Sequence, residues 1–198
     1  MPDLILAIDQ GTHSTRAIVF DSHGHAVCSA QQSVALQRHS RNKIEQSPVE
    51  ILQSMQNVIN SVLDNPAIDG QRISCAGLAT QRSSVVAWDR YSGLPLSPVI
   101  SWQDRRCADR LQRLEKESRG IHQLTGLQLS PHYGASKLQW LLQHNAAVTA
   151  ARDADRLVMG PLASYLLHHL TDNVAELVDD ANASRTLLWS LEQRDWDS

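Results

Sequence analysis

The sequence predicts an α/β fold in which three antiparallel strands come first and helices then alternate with strands. Residues 3–8, 16–20 and 26–36 are apolar or alternating segments of strand length. The connections between them are too short for a crossover helix, so neighbouring strands must run antiparallel. A helical period replaces the strand period after Ser47. With 198 residues and 42% hydrophobic content, the chain is large enough to bury a core.

The three strands are separated by clear turn signals. The apolar run 3–8 ends in a polar loop over residues 9–15, and residues 16–20 form the second strand. The segment 21–24 is a turn, because Gly24 adopts positive φ without steric cost. Apolar residues then alternate from Ala26 to Leu36, which indicates a third strand.

A helix is predicted to begin at Ser47-Pro48-Val49-Glu50, with Ser at the N-cap, Pro at N1 and Glu at N3. Beyond it, strands are predicted over 72–79, 84–89, 98–102 and 156–159, the middle two as a hairpin turning at 91–93. Helices are predicted over 104–118, 135–144, 146–153 and 161–170. Three antiparallel strands followed by helix, strand and helix are the pattern of the actin-like ATPase fold, also called ribonuclease H-like.

Composition excludes several classes of function. The 18 Lys and Arg against 21 Asp and Glu leave no excess positive charge for nucleic acid, and no apolar run approaches the roughly 20 residues of a membrane span. The N-terminus lacks signal-peptide features, and Cys28, Cys75 and Cys107 are widely spaced, so we expect reduced thiols in a cytoplasmic protein. The histidines, including His168-His169, lack metal-ligand spacing and are interpreted as surface or satisfied groups.

The loop after the first strand offers groups that suit a nucleotide phosphate. Gly11 lets the backbone approach a phosphate, and the hydroxyls of this loop belong to Thr12, Ser14 and Thr15. Asp9, at the carboxyl end of the strand, is placed to hold Mg²⁺ directly or through water, and Arg16 adds a cation. The alternative is an ordinary polar turn between two strands.

This segment, LAIDQGTHSTRAIVFD, is similar to the first phosphate loop of FGGY-family carbohydrate kinases, glycerol kinases in particular. Four further segments resemble that family in order and spacing: KIEQSPVEI, LATQRSSVVAWDRYSGLPLSPVISWQDRR, LSPHYGASKLQWLL and DDANASRTLLWSLEQRDWD. The resemblance implies ATP and Mg²⁺ as cofactors, with Gly11, Thr12, His13, Ser14 and Arg16 at the phosphates and Asp9 at the metal.

The resemblance also implies a sugar or polyol substrate. Arg82 matches an arginine that hydrogen-bonds substrate hydroxyls, and Trp102 matches a tryptophan that packs on the carbon chain. Ser83 stands where glycerol kinases carry Glu, His132 where they carry Tyr, and His13 where the family usually has Thr. These departures put glycerol itself in doubt and favour a larger or differently arranged polyol. Without the resemblance, Arg82 would be a surface arginine paired with Asp104 or Asp89, and Trp102 a core residue.

The resemblance places residues 1–198 as the N-terminal domain, which carries the substrate wall and the first phosphate loop. No D-x-G-D-Q element, which holds the family's catalytic Asp, occurs in the sequence. We therefore expect the catalytic Asp, which acts as the base, and the ATP-binding domain to lie in a C-terminal half. That half would be the natural partner of this chain. Alone, the chain is expected to be inactive and prone to homo-oligomerise. The alternatives are a pentose kinase, against which Thr80-Gln81-Arg82 argues, or a non-catalytic binding module with the actin-like fold.

Overall fold

The computed structural model describes residues 3–68, 72–171 and 176–197. Its strands, numbered along the chain, are β1 Leu4–Gln10, β2 Ser14–Phe20, β3 Ala26–Ser33, β4 Gln37–Arg38, β5 Ile44–Gln46, β6 Ile73–Thr80, β7 Val85–Asp89, β8 Val99–Ile100, β9 Leu157–Pro161, β10 Trp189–Ser190 and β11 Asp195–Trp196. Its α-helices are α1 Pro48–Leu63, α2 Ala108–Leu111, α3 Ser118–Thr125, α4 Gly134–His144, α5 Ala146–Asp153, α6 Leu162–Leu170 and α7 Asp180–Ala183, with a 3₁₀ segment over Gln112–Glu117.

The chain divides into two compact units, which are described separately. The first contains the described parts of residues 1–36 and 47–81, and the second those of residues 37–46 and 82–198. None of the helices in the described part of the chain is long and apolar enough to cross a bilayer.

The first unit is a four-stranded sheet with α1 on one face. The strand order is β3-β2-β1-β6, with β1 antiparallel to β2, β2 antiparallel to β3, and β1 parallel to β6. This confirms the predicted meander. Alternate side chains of β1 and β2, including Leu6, Ile8, Ala17 and Val19, are buried because the strand period places them on one face.

Helix α1 starts where its sequence predicts. The Ser47 side chain accepts a hydrogen bond from the Glu50 backbone N–H at 3.2 Å, and Pro48 occupies the first turn. The Glu50 carboxylate accepts from the Ala35 backbone N–H at 2.8 Å, which fixes the chain after β3. Ile51 and Met55 are fully buried at helical spacing.

The second unit is built on a five-stranded sheet of order β4-β5-β8-β7-β9. The predicted hairpin is confirmed: β7 and β8 pair antiparallel with Val85 opposite Ile100, and Gly93 has a φ of 68° in the turn. Helices α4 and α5 supply Leu138, Leu141 and Val148 to the core against this sheet. Strands β4 and β5 were not predicted, since segments of two or three residues carry no periodic signal.

The predicted helix over 104–118 is wrong in its start and in its continuity. The Asp104 carboxylate accepts a hydrogen bond from the Arg106 backbone N–H at 2.9 Å, an arrangement that competes with helix formation. The α-helix begins at Ala108, gives way to the 3₁₀ segment after Leu111, and resumes as α3 at Ser118.

The interpretation of the histidines as surface or satisfied groups is wrong for His168. Its side chain is buried against the Trp88 ring, with the two centroids 5.9 Å apart. Neither ring nitrogen has a hydrogen-bond partner among the described residues. Its neighbour His169 does have one, because its Nε2 lies 3.1 Å from the carbonyl oxygen of Gly93.

Candidate functional site

The predicted phosphate loop is a tight turn between β1 and β2 in the first unit. The Gly11 N–H donates to the Ser14 carbonyl at 2.9 Å, and a Cβ at Gly11 would lie 3.3 Å from that oxygen. The Gln10 side chain is buried and donates to the Gly11 carbonyl at 2.7 Å. Gln81, after β6, donates through its backbone N–H to the Gln10 carbonyl at 2.8 Å. These bonds, made by the buried residues Gln10 and Gln81, fix the backbone of the loop.

The side chains around this turn divide between the surface and the core. Asp9 is exposed at the end of β1 and pairs in register with Arg16, so both project from the same face of the sheet. The Arg16 guanidinium donates to Gln31 on β3 at 2.9 and 3.2 Å. Thr15 is fully buried and lies 2.6 Å from the Ser54 hydroxyl of α1, so its hydroxyl does not face a phosphate, contrary to expectation.

His13 is exposed, whereas Gly11, Thr12 and Ser14 are half-buried. The His13 carbonyl accepts from the Val34 N–H at 2.9 Å, which links the loop to the end of β3. Among the described residues, no group of three metal-ligating side chains is present. A single exposed carboxylate such as that of Asp9 can hold Mg²⁺ only together with other ligands, such as phosphate oxygens and water.

In the second unit, the substrate candidates Arg82 and Ser83 lie in a strained turn before β7. Ser83 has a φ of 67°, a left-handed conformation that is uncommon for a residue other than glycine. Its side chain is buried, and its hydroxyl has no hydrogen-bond partner among the described residues. Arg82 is exposed. Asp104 pairs with Arg106 and Asp89 with Arg156, so the alternative in which Arg82 pairs with either carboxylate is wrong.

The aromatic candidates meet in the same unit. The rings of Trp102 and His132 contact edge to face, with centroids 5.6 Å apart, and Tyr133 packs against His132 at 5.0 Å. Trp102 is half-buried rather than a core residue. Its backbone N–H donates to the Ser84 hydroxyl at 3.0 Å, which joins the Trp102 segment to the turn at Ser83.

Lys137 joins the two groups of candidates and is fully buried on α4. Its Nζ donates to the Ser83 carbonyl at 2.8 Å and to the His132 carbonyl at 2.6 Å. One amine therefore holds the backbone of the Arg82-Ser83 turn against the backbone that carries His132. Helix α4 is itself anchored at its first turn, where the Ala135 N–H donates to the Thr186 carbonyl at 2.7 Å.

Burial and positive charge dominate the electrostatics here. Burial lowers the pKa of Lys137 to about 7, against the opposing attraction of the Asp104 carboxylate. Burial also lowers the pKa of His132, and the charges of Lys137, Arg185 and Arg82 lower it further. His132 is therefore neutral near pH 7, with arginines around it.

A buried ion pair positions the segment after Trp102. Asp104 accepts from the Ile44 backbone N–H at 2.7 Å and from Arg106 Nε and Nη2 at 2.9 and 2.8 Å. Arg106 Nη2 also donates to Glu45 at 2.7 Å, and the guanidinium lies over the Trp140 ring, 4.5 Å from its centroid. In the described part of the chain, the Arg106 side chain donates to Glu45 on β5 and to Asp104, and these bonds fix the Trp102 segment against β5.

Comparison with known proteins identifies the family of this chain. A profile described as the FGGY family of carbohydrate kinases, N-terminal domain, matches residues 4–198. The chain belongs to the FGGY family of carbohydrate kinases. A glycerol kinase of Alkalilimnicola ehrlichii is 39% identical over 195 residues, and one of Limosilactobacillus reuteri is 35% identical over the same length. In both cases the match covers 98% of this chain and 39% of the relative.

Solved structures agree on the fold of this FGGY chain. The glycerol kinase of Plasmodium falciparum, solved with ADP, matches with a TM-score of 0.90 and 29% identity, over 100% of this chain and 40% of that one. The gluconate kinase of Lactobacillus acidophilus matches with a TM-score of 0.86 and 22% identity, over 100% of this chain and 38% of that one. The predicted actin-like ATPase fold is confirmed, and the chain spans about two fifths of the length of these relatives.

Sequence reasoning missed Lys137 and the Asp104–Arg106–Glu45 group. A signal for Lys137 was present, because it lies four residues before Leu141 and so shares the buried face of α4. A lysine on an apolar helix face needs buried acceptors. No comparable signal existed for Glu45, whose partner Arg106 is distant in sequence.

Proposed function

We propose that this chain is the substrate-binding and first phosphate-binding part of an ATP-dependent kinase that phosphorylates a hydroxyl of a sugar or polyol, in the manner of glycerol kinases. The observation that carries this proposal is the Lys137 bridge. It joins the segments of Arg82 and His132, and Trp102 contacts both of them through the Ser84 hydroxyl and the His132 ring; all three segments resemble the family's substrate elements. Family membership and the glycerol kinase relatives support the reaction class.

In this proposal the exposed Arg82 guanidinium donates to substrate hydroxyls, and the half-buried Trp102 ring packs on the carbon chain. His132, kept neutral by its lowered pKa, offers one ring N–H donor and one ring acceptor to a hydroxyl. Because Ser83 and His132 replace Glu and Tyr of the glycerol kinase pattern, we propose a polyol or sugar larger than glycerol. The fallback is that Tyr133, in contact with His132, takes the aromatic role.

The first unit would receive the nucleotide phosphates. The Gly11–Ser14 turn has no bulky side chain at Gly11, and Asp9 offers an exposed carboxylate. Magnesium and ATP, when bound, would supply the transferable phosphoryl group and neutralise its charge. Asp9 would hold the ion directly or through water, and Arg16 would add positive charge on the same face. The proton acceptor is proposed to lie outside residues 1–198.

The test is ATP consumption by the full-length protein against a panel of glycerol, longer polyols and pentoses. Arg82→Ala should raise KM for the preferred polyol by about 10- to 150-fold, since a hydrogen bond from a charged donor is worth about 1.5–3 kcal/mol. Its KM for ATP should not change. Arg152→Ala, at an exposed arginine paired with Asp153, is the matched control and should change neither constant. Equal effects of the two substitutions would contradict the assignment of Arg82.

Two alternatives give different outcomes in the same assay. A pentose kinase would turn over a pentose and none of the polyols. A non-catalytic module would bind nucleotide without consuming it, which calorimetry with ATP and Mg²⁺ would detect. The chain of residues 1–198 alone is expected to show no turnover, because a general base alone contributes about 10²–10⁴-fold to the rate. Turnover by the isolated chain would show that the base lies within it.

A further inference from the structure

The second unit contains an apolar cavity that the proposed reaction does not use. Its volume is about 430 Å³, within the range of about 300–1,000 Å³ that is typical of small-molecule sites. It lies among α2, the 3₁₀ segment, α3, α4 and β9. Most of its wall is aliphatic and is formed by side chains that include Leu114, Ile121, Leu138, Leu142 and Met159.

The polar residues on this wall are Arg110, Ser136 and Gln139. The Ser136 side chain is 4% exposed, and its hydroxyl has no hydrogen-bond partner among the described residues. The Arg110 guanidinium donates to the Gln143 side chain but forms no ion pair in the part of the chain that the structure describes. The cavity thus has a largely aliphatic wall with one cationic side chain, that of Arg110, and two neutral polar residues.

Arg110 also lines a second, more polar cavity of about 690 Å³, so the two cavities adjoin at its side chain. This second cavity is lined by Arg106, Arg113 and His144, with the carboxylate of Asp109 on the same wall. Asp104 and Glu45 compensate the charge of Arg106. Arg110 and Arg113 outnumber the one carboxylate, which favours an anion where the two cavities meet.

We propose that the apolar cavity binds a single aliphatic chain that ends in a carboxylate. The aliphatic wall takes the hydrocarbon chain because removal of apolar surface from water is favourable. The carboxylate supplies the counter-charge for Arg110. A neutral chain would leave Arg110 without a counter-charge, and a cationic chain would be repelled by Arg110.

Isothermal titration calorimetry of the chain tests the proposal with three ten-carbon probes kept below their micelle concentrations: decanoate, decanol and decyltrimethylammonium. Decanoate should bind with a 1:1 stoichiometry and at least tenfold more tightly than the other two. Arg110→Met should weaken decanoate at least tenfold and leave decanol unchanged. The matched control is Arg119→Met, at an exposed arginine of α3 that lines neither cavity, and it should bind decanoate like the wild type.

Variants that fill the cavity provide a second, independent test of the proposal. Ala135→Leu and Leu142→Phe each add volume at the wall, and both should abolish binding of decanoate and decanol without lowering the thermal midpoint of unfolding by more than a few degrees. Two variants are used so that one misfolded protein does not decide the outcome. Equal affinity for the three probes, equal weakening by Arg110→Met and Arg119→Met, or unchanged binding in a folded cavity-filling variant would overturn the proposal. Tighter binding of decyl phosphate than of decanoate would overturn the choice of a carboxylate.

Discussion

Substitution of Lys137 by Met tests whether the buried amine holds the candidate substrate wall together. Methionine keeps an unbranched side chain of similar length and removes the donors. The carbonyls of Ser83 and His132 then lose the partner that donates at 2.8 and 2.6 Å. A buried acceptor left without a partner costs about 1–3 kcal/mol, so Lys137→Met should lower the free energy of unfolding by about 2–6 kcal/mol at pH 9.

The pH dependence of the free energy of unfolding distinguishes hydrogen bonding by the Lys137 amine from packing of its side chain. Because the pKa of folded Lys137 is lowered to about 7 from 10.5, the folded chain loses its proton near pH 7 while the unfolded chain keeps it. The unfolded state therefore binds more protons between these two values, and stability rises with pH there. The contribution grows by about 2 kcal/mol between pH 7 and pH 9. The neutral amine still has two N–H donors, enough for both carbonyls.

Urea unfolding of both proteins at pH 7, 8 and 9, followed by far-UV circular dichroism, measures the difference. The gap between wild type and Lys137→Met should widen with pH by about 2 kcal/mol. Lys116→Met removes an exposed lysine of the 3₁₀ segment, and its stability should stay parallel to that of the wild type. Parallel curves for wild type and Lys137→Met would refute the argument that a buried amine of lowered pKa bridges the two segments.

Three further outcomes follow from other buried groups. Asp104→Ala should lower the free energy of unfolding by about 1.5–3 kcal/mol in urea titrations, since it removes one of the two carboxylates paired with Arg106 and the acceptor of the Ile44 N–H, whereas Asp153→Ala on the surface should change it by less than about 0.5 kcal/mol. His168→Leu should raise it by about 1–3 kcal/mol, and a loss of stability would reveal a partner for the ring nitrogens. Alkylation of the native chain at pH 8 should modify Cys75 at least about tenfold faster than Cys107 by mass spectrometry, because burial raises the pKa of Cys107.

The elements that could be predicted from sequence are those set by local chemistry. The cap at Ser47 and the alternation in the first strands specify their own positions, because the hydrogen bonds and buried faces involved lie within a few residues. The helix predicted to begin at residue 104 begins only at Ala108, because the Asp104 side chain accepts hydrogen bonds from the backbone N–H groups of Ile44 on β5 and of Arg106. Ile44 lies 60 residues before Asp104, so the sequence pattern around residue 104 does not indicate this hydrogen bond.

The candidate site divides in the same way. Segments that resemble known motifs identified Arg82, Trp102 and His132 as a group, and the Trp102 and His132 rings do contact each other. The resemblance did not indicate which individual side chains are buried. Thr15 alternates onto the α1 side of the sheet and pairs with Ser54, so a hydroxyl in the right stretch of sequence faces the core. Periodicity predicts that inward face, but motif matching ignores it.

The strain at Ser83 and the burial of Lys137 are best understood together. A left-handed serine costs about 1–3 kcal/mol and persists only where its surroundings determine it. Here the Ser83 carbonyl is held by Lys137, and the hydroxyl of the next residue, Ser84, accepts the N–H of Trp102. The turn that presents Arg82 is thus fixed from both sides before any ligand arrives. If the proposed function holds, a wall formed in advance needs no ordering on binding, so its shape, rather than closure of this turn, would select the polyol.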